Sequence, residues 1–437
     1  MRLLNKEKLT KIDSVAVITM GCAKNLVDSE RFSGLLQANG FNMIDNPANA
    51  DALIINTCGF IKAAKEENIQ VIMEAADLRR RRKYKKLIVT GCLAERYNTE
   101  LRQQIKNVDY FLGVNSDETI LKILKNDEKY ELIGDRMMFT PKHYAYLKIS
   151  EGCNQKCTFC AIPLMRGKHL SEPIEKLIKE AERLAENGTK ELVLIAQDST
   201  YYGKDLYGKR ILQDLMERLS EIKGIEWIRI MYAYPRSFPF EVLETMASKS
   251  NICNYIDIPL QHASDKVLKS MRRGVTRVDI EEIVTKIRAA VPDVAIRSTF
   301  IVGYPNETEA DVDELCDFLE KNQLDRVGVF TYSHEEGTGA YPLGDPIPQS
   351  IKDARRERVM LTQQKISLAK NQAKIGKTFR VLIEERQDNK YIGRTEYDAP
   401  DVDNTVTFET SESFKIGDFA TVKITSAEEY EIFGELA

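Results

Sequence analysis

Residues 144–160 read YAYLKISEGCNQKCTFC. Tyr144–Ser150 is a short apolar run closed by a glycine, the pattern of a buried strand. The three cysteines that follow, Cys153, Cys157 and Cys160, are spaced C-x3-C-x2-C on the loop after it. Three thiolates on one loop can each hold one iron of a four-iron cubane, leaving the fourth iron without a protein ligand. A structural zinc site needs a fourth Cys or His, and none is near in sequence. Five further strand-like runs follow at Leu192–Gln197, Trp227–Tyr232, Tyr255–Leu260, Ala295–Val302 and Arg326–Tyr332. Helical patterns separate them, so residues 144–336 are predicted as a partial, parallel (β/α)6 barrel, with its chemistry on the loops after the strands. Ser171–Gly188 is the clearest helix, with Ser171 as the expected cap, Pro173 early, and Gly188 as the stop.

Upstream, residues 1–133 alternate apolar runs (Ser14–Met20, Ala52–Asn56, Lys86–Thr90) with helical patterns at Asp28–Asn39 and Lys62–Lys83. Runs apolar on both faces suit an open parallel α/β sheet. Each run ends in a cysteine beside a glycine: Gly21-Cys22, Cys58-Gly59 and Gly91-Cys92. Loops at the carboxyl ends of parallel strands share one crevice, so these three cysteines are expected to converge. Cys253 and Cys316 have no such partners and read as structural.

Residues 134–143 form a polar linker containing Pro141. Residues 337–374 begin with a Gly/Pro-rich loop, Gly337–Pro348, and continue as a charged helix near Ile351–Ile375. Residues 375–437 alternate in β fashion at Phe379–Glu385, Tyr391–Tyr397, Thr405–Glu409, Ala420–Thr425 and Glu429–Phe433, which predicts a small antiparallel β-barrel. The composition, 43% hydrophobic and 30% charged over 437 residues, is that of a globular protein. No apolar run approaches the ~18 residues of a membrane helix, and Met1–Glu7 lacks the apolar core of a secretory signal. A cytoplasmic protein is expected, and eight cysteines in a reducing compartment point to metal or catalysis.

The motif Cys153-x3-Cys157-x2-Cys160 resembles that of radical S-adenosylmethionine enzymes. With Cys22, Cys58 and Cys92 added, the whole chain resembles the methylthiotransferase family, with its N-terminal cysteine domain, radical barrel and C-terminal TRAM-type β-domain. Four stretches are similar to the RimO branch: Gly21–Glu30 (GCAKNLVDSE), Ala161–Gly167 (AIPLMRG), Ala196–Thr200 (AQDST) and Asp257–His262 (DIPLQH), with Ala23 where Ser is common. That branch modifies an aspartate of the small-subunit ribosomal protein S-twelve. The MiaB-like branch, acting on a transfer-RNA adenosine, is the alternative. The resemblance implies two [4Fe-4S] clusters, one on Cys153, Cys157 and Cys160 and one on Cys22, Cys58 and Cys92. It also implies two molecules of S-adenosylmethionine, one as source of a 5′-deoxyadenosyl radical that takes hydrogen from the aspartate β-carbon, the other as methyl donor. An electron-donor protein and a sulfur source are implied as further partners, with no membrane; a monomer is expected.

Around the cofactor, Gln197 and Gln261 close apolar strands where an amide can bind ribose or the amino-acid moiety. Arg297 can pair with the cofactor carboxylate or form a structural ion pair, and Gly303 can let adenine approach the backbone. Arg166 is a cluster-loop anchor or a substrate contact. His262 and His334 are proton-donor candidates beside a structural reading, and Tyr201, Tyr202 and Tyr207 are a candidate substrate lid. The basic run Arg79–Lys86 is a nucleic-acid patch or the solvated end of a helix. The net charge of −4 is uneven, because residues 375–437 carry seven basic and fourteen acidic side chains. An acidic β-domain repels a phosphate backbone and attracts a basic protein. Asp398, Asp401 and Asp403 are the expected recruiting residues.

Overall fold

A computed structural model describes residues 11–437 except 82, 127, 128 and 133, so the reading of Met1–Glu7 lies outside the described residues. The chain divides into two compact units, Met1–Phe139 with Ala161–Gly167, and Thr140–Cys160 with Lys168–Ala437.

The first unit is built on β1 (Ser14–Thr19), β2 (Asn42–Met43), β3 (Ala52–Thr57), β4 (Lys86–Gly91) and β5 (Tyr110–Phe111). They form one parallel sheet in the order β2-β1-β3-β4-β5. β3 is buried along its whole length, because successive side chains enter opposite cores. Leu53 and Ile55 meet Ile72, Ala75 and Ala76 of helix Lys62–Arg80. Ile54 meets Phe32 and Leu36 of helix Ala23–Ala38. The two-residue edge strands β2 and β5 are too short to leave a periodic signal.

The second unit opens with β6 (Tyr144–Lys148), followed by the short antiparallel pair β7 (Ser150–Glu151) and β8 (Leu170–Ser171). β9 (Glu191–Ile195), β10 (Trp227–Ile230), β11 (Ile252–Asp257), β12 (Ala295–Val302) and β13 (Arg326–Thr331) complete a six-stranded parallel sheet in the order β13-β12-β11-β10-β9-β6. Ser171 is not the helix cap expected of it. It pairs with Ser150 in β8, its hydroxyl donates to Asp205 at 2.6 Å, and the helix begins at Ile174. The long helix Gln349–Gln372 contributes buried Val359 and Ile366.

β14 (Thr378–Gln387), β15 (Lys390–Thr395), β16 (Thr405–Glu409), β17 (Phe419–Ala427) and β18 (Glu431–Leu436) close into a barrel in the order β14-β15-β16-β18-β17. Its pairs are antiparallel except β16–β18, which is parallel. Buried ion pairs fasten it to the six-stranded sheet. Glu191, fully buried at the start of β9, accepts from Arg229 of β10 and Arg394 of β15, both at 2.7 Å. Arg326 holds Asp398 at 2.5 Å, Tyr255 donates to Asp403 at 2.6 Å, and Tyr146 donates to Asp401 at 3.1 Å.

This corrects the recruiting role expected for Asp398 and Asp403, two of the three acids Asp398, Asp401 and Asp403. The Asp398 carboxylate is 0% exposed and that of Asp403 1%. Asp398 and Asp403 spend their charge inside the unit, whereas Asp401 is exposed and only lends its carboxylate to the tyrosine hydroxyls.

Candidate active site

Cys22, Cys58 and Cys92 follow β1, β3 and β4, which are neighbours in the parallel sheet. Parallel neighbours lie ~4.8 Å apart, so their carboxyl-end loops bring the three thiols together. The turn at Gly21 has φ +93°, and a Cβ there would stand 2.5 Å from the Cys58 Cβ. Only glycine lets the Cys22 loop come this close.

Asn25, unremarked in the sequence, ties the loops to one another. Its Nδ2 donates to Met20 O at 2.9 Å and Thr57 O at 3.0 Å, and its Oδ1 accepts from Arg166. The available signal was its place three residues after Cys22, on the same face of helix Ala23–Ala38. Arg166 lies in the same unit, on helix Ile162–Arg166. Its Nε donates to the Cys92 sulfur at 3.2 Å, and it pairs with Asp28 at 3.0 Å. Burial pushes the Cys92 thiol up to about 12, with Arg166 offsetting part of that rise. Such thiols stay protonated until a metal takes the proton's place. Cys22 is exposed, so the trio has an open side.

In the second unit Cys153, Cys157 and Cys160 sit on the loop after β7, all half-buried. Arg273 donates to the Cys157 sulfur at 3.2 Å, and the Tyr234 hydroxyl lies 3.5 Å from it. The guanidinium of Arg273 in turn stacks on the Tyr234 ring, 4.3 Å from its centroid. The Gln155 N–H faces the Cys153 sulfur at 3.4 Å, and burial pushes that thiol up to about 12. Tyr234 and Arg273 escaped the sequence reading, although Tyr234 follows β10 much as Gln197 follows β9.

Among the described residues no three His, Cys, Asp or Glu side chains close on a single-ion site. A cluster asks for a looser arrangement, since each thiol reaches a different iron. Both trios fit that demand: thiols only, set on loops and helix starts, with N–H donors aimed at sulfur.

Gln197 and Gln261 both stand at the carboxyl end of the sheet. Gln197 donates to Glu151 at 3.0 Å, and Glu151 also takes Lys148 at 2.8 Å. The amide oxygens of Gln197 and Gln261 are buried without a hydrogen-bond partner among the described residues, as are Tyr332 Oη and His334 Nδ1. Buried acceptors of this kind are normally satisfied, so the two amides are suited to a ligand bearing N–H or O–H groups.

Gly303 has φ +76°, and its N–H donates to Glu307 at 2.7 Å. The space a Cβ would take there is filled by Lys352, whose Cδ would be 2.9 Å away. Arg297 pairs with Asp257 at 3.0 Å and Asp403 at 3.4 Å, so its guanidinium is taken by carboxylates of the chain itself. His262 is fully buried between the Ser264 N–H and Glu307, while His334 stacks on Tyr341 at 4.3 Å. Of the three loop tyrosines only Tyr207 is exposed; Tyr202 is fully buried and donates to Glu172 O at 2.8 Å. In the basic run, Arg79 is bound by Asp109 at 2.9 Å and Lys85 by Asp51 at 2.8 Å, while Arg82 lies outside the described residues.

Comparison with known proteins identifies the family. Residues 147–319 match the Radical SAM superfamily, residues 375–437 the TRAM domain, and residues 14–113 an uncharacterized protein family, UPF0004. The chain is 51% identical to the ribosomal protein uS12 methylthiotransferase RimO of Flavobacterium psychrophilum, over 99% of this chain and 100% of that one. It is 49% identical to the protein of the same name from Cytophaga hutchinsonii, over 99% of each chain. It is 46% identical to that of Clostridioides difficile, over 97% of this chain and 98% of the other.

Among solved structures, the radical S-adenosylmethionine methyltransferase TsrM of Kitasatospora setae is similar in fold. Its TM-score is 0.56 at 12% identity, over 76% of this chain and 77% of that one. Among the described residues no helix is long and apolar enough to cross a membrane. The chain belongs to the RimO family of methylthiotransferases, radical enzymes that use an iron–sulfur cluster and S-adenosylmethionine.

Proposed function

We propose that this protein attaches a methylthio group to the β-carbon of an aspartate in the small-subunit ribosomal protein S-twelve. The reading extends to two clusters, one on each cysteine trio, and to two molecules of S-adenosylmethionine. The observation that carries it is the pair of trios, one at the carboxyl ends of three neighbouring parallel strands and one on the loop after β7, each with an N–H donor aimed at a ligand sulfur. Relatives named for this activity match nearly the whole chain at about half identity.

When bound, these groups supply the one-electron chemistry that opens an unactivated C–H bond, together with the sulfur and methyl to be transferred. The protein's part is to bind, orient and exclude water. Arg273 and Tyr234 hold the Cys157 sulfur in place and put a cation beside it. Lys148 and Glu151 form a buried pair that fixes the Gln197 amide, leaving its oxygen for a cofactor hydroxyl or ammonium. Gln261 offers a second buried oxygen from a backbone held at φ +76°. Arg297 is kept from the same task by Asp257 and Asp403, so these amides, not Arg297, are the better candidates for the cofactor's amino-acid end.

For the substrate, the protein reading rests on the matched relatives and on the acids that stay outside the domain junction. Glu409, Glu412 and Asp418 are exposed on the C-terminal barrel and suit a basic protein better than a phosphate backbone.

Iron and sulfide analysis after anaerobic reconstitution tests the cofactor reading. Two cubanes give roughly eight irons per chain. Replacing Cys153, Cys157 and Cys160 with Ala is expected to leave about half of that iron and to abolish deoxyadenosine formation. Zinc in place of iron overturns it.

A further inference from the structure

The function proposed above requires the trio of the first unit to hold a cluster. On that reading we propose that Arg166 is a positioning residue for this cluster, fixing the Cys92 ligand and raising the cluster's reduction potential through a hydrogen bond to its sulfur. The guanidinium is almost fully enclosed, with a side chain 4% exposed, and each of its three nitrogens is used. Nε donates to the Cys92 sulfur at 3.2 Å, one terminal nitrogen pairs with Asp28 at 3.0 Å, and the other donates to Asn25 Oδ1. Asn25 is itself fully buried and bonded to the backbone before Cys22 and before Cys58. One side chain therefore reads the positions of all three ligand loops.

A cluster on three thiolates is anionic, and taking up an electron adds one more negative charge. An N–H donated to a ligating sulfur and a cation buried beside it both favour the reduced form, and hydrogen bonds to sulfur are among the terms that set such potentials. Asp28 offsets part of the charge, so the directed Nε–H bond carries the larger share. A lysine at this position keeps a cation but cannot present the planar fork that serves three partners at once.

The test uses the full chain with Cys153, Cys157 and Cys160 replaced by Ala, so that only the first trio can bind a cluster. After reconstitution, iron is counted and a mediated redox titration against dithionite is followed by visible absorption and electron paramagnetic resonance. Arg166→Met is expected to keep the roughly four irons of the parent. At the parent's midpoint its reduced-to-oxidised ratio is expected to fall at least tenfold, a downward shift of about 59 mV for one electron. Arg166→Lys is expected to lie between the two. An unchanged midpoint with full iron overturns the proposal. If Arg166→Met loses iron, Arg166→Lys is read instead, and an unchanged midpoint there overturns it equally. A parent that binds no iron overturns the two-cluster reading itself, and the proposal with it.

Discussion

Glu191→Gln is the substitution that most directly probes how the C-terminal barrel is held to the parallel sheet. Its carboxylate is fully buried and serves two guanidinium groups, Arg229 and Arg394, each at 2.7 Å. Burial alone would raise its pKa, yet Arg394 and Arg229 outweigh burial and keep it below the ordinary carboxylate value. With the charge removed, Arg394 retains Glu384, but Arg229 loses its carboxylate counter-charge and keeps the carbonyl of Glu396 at 2.6 Å and the Tyr255 ring. Breaking a buried pair in this way costs about 3–5 kcal/mol, or roughly two to four powers of ten in the unfolding equilibrium.

Arg394→Met is a milder change. Glu191 keeps Arg229, and Glu384 keeps His143 at 3.3 Å, so the expected cost is about 2 kcal/mol, the scale of a charge-assisted hydrogen bond. Trp227 is the chain's one tryptophan, and its ring lies edge-on to Phe419 of β17 with centroids 4.9 Å apart. Its fluorescence in a urea titration therefore reports this junction. A Glu191→Gln protein within ~1 kcal/mol of wild type, or an Arg394→Met protein that loses as much as Glu191→Gln, would refute the reasoning.

Acid is expected to weaken the same junction. Burial opposes ionisation of Glu384 and Asp398, but His143 and Arg394 hold the first at about 2 and Arg326 the second at about 2. Both groups thus stabilise the fold above their ordinary values of 4.5 and 3.8, and that stability drains away as pH falls through about 2. Trp227 fluorescence against pH measures it, and Glu384→Gln should flatten the curve. Gly21→Ala, which drives a Cβ against Cys58 at a φ of +93°, should cut the iron bound by the first trio while circular dichroism stays unchanged. Charge reversal of exposed Glu409, Glu412 and Asp418 to Lys should weaken binding of S-twelve at least severalfold and leave cofactor cleavage alone; equal effects on both would remove the recruiting role from this face.

The two trios were legible because each depends on short-range features, a C-x3-C-x2-C loop in one unit and a strand-Gly-Cys pattern in the other. The strands were legible where apolar runs exceed four residues; β2 and β5, with two residues each, were not. Long-range pairing left no trace in the sequence. Glu191 and Arg394 are 203 residues apart and Arg326 and Asp398 72 apart, so a tail that reads as an acidic surface in fact turns several of its acids inward. The partner of Arg297 was hidden for the same reason, since nothing local announces Asp403. Ser171 had the chemistry of a helix cap, but a two-residue strand claimed its backbone and Asp205 its hydroxyl.

The most direct measurement is mass spectrometry of S-twelve after incubation with the reconstituted protein, a reductant, a sulfide source and S-adenosylmethionine deuterated in its methyl group. The expected product carries one methylthio group, deuterium included, on a single aspartate, and has lost one β-hydrogen. An unmodified protein alongside a methylthiolated transfer RNA in the same mixture would contradict the account.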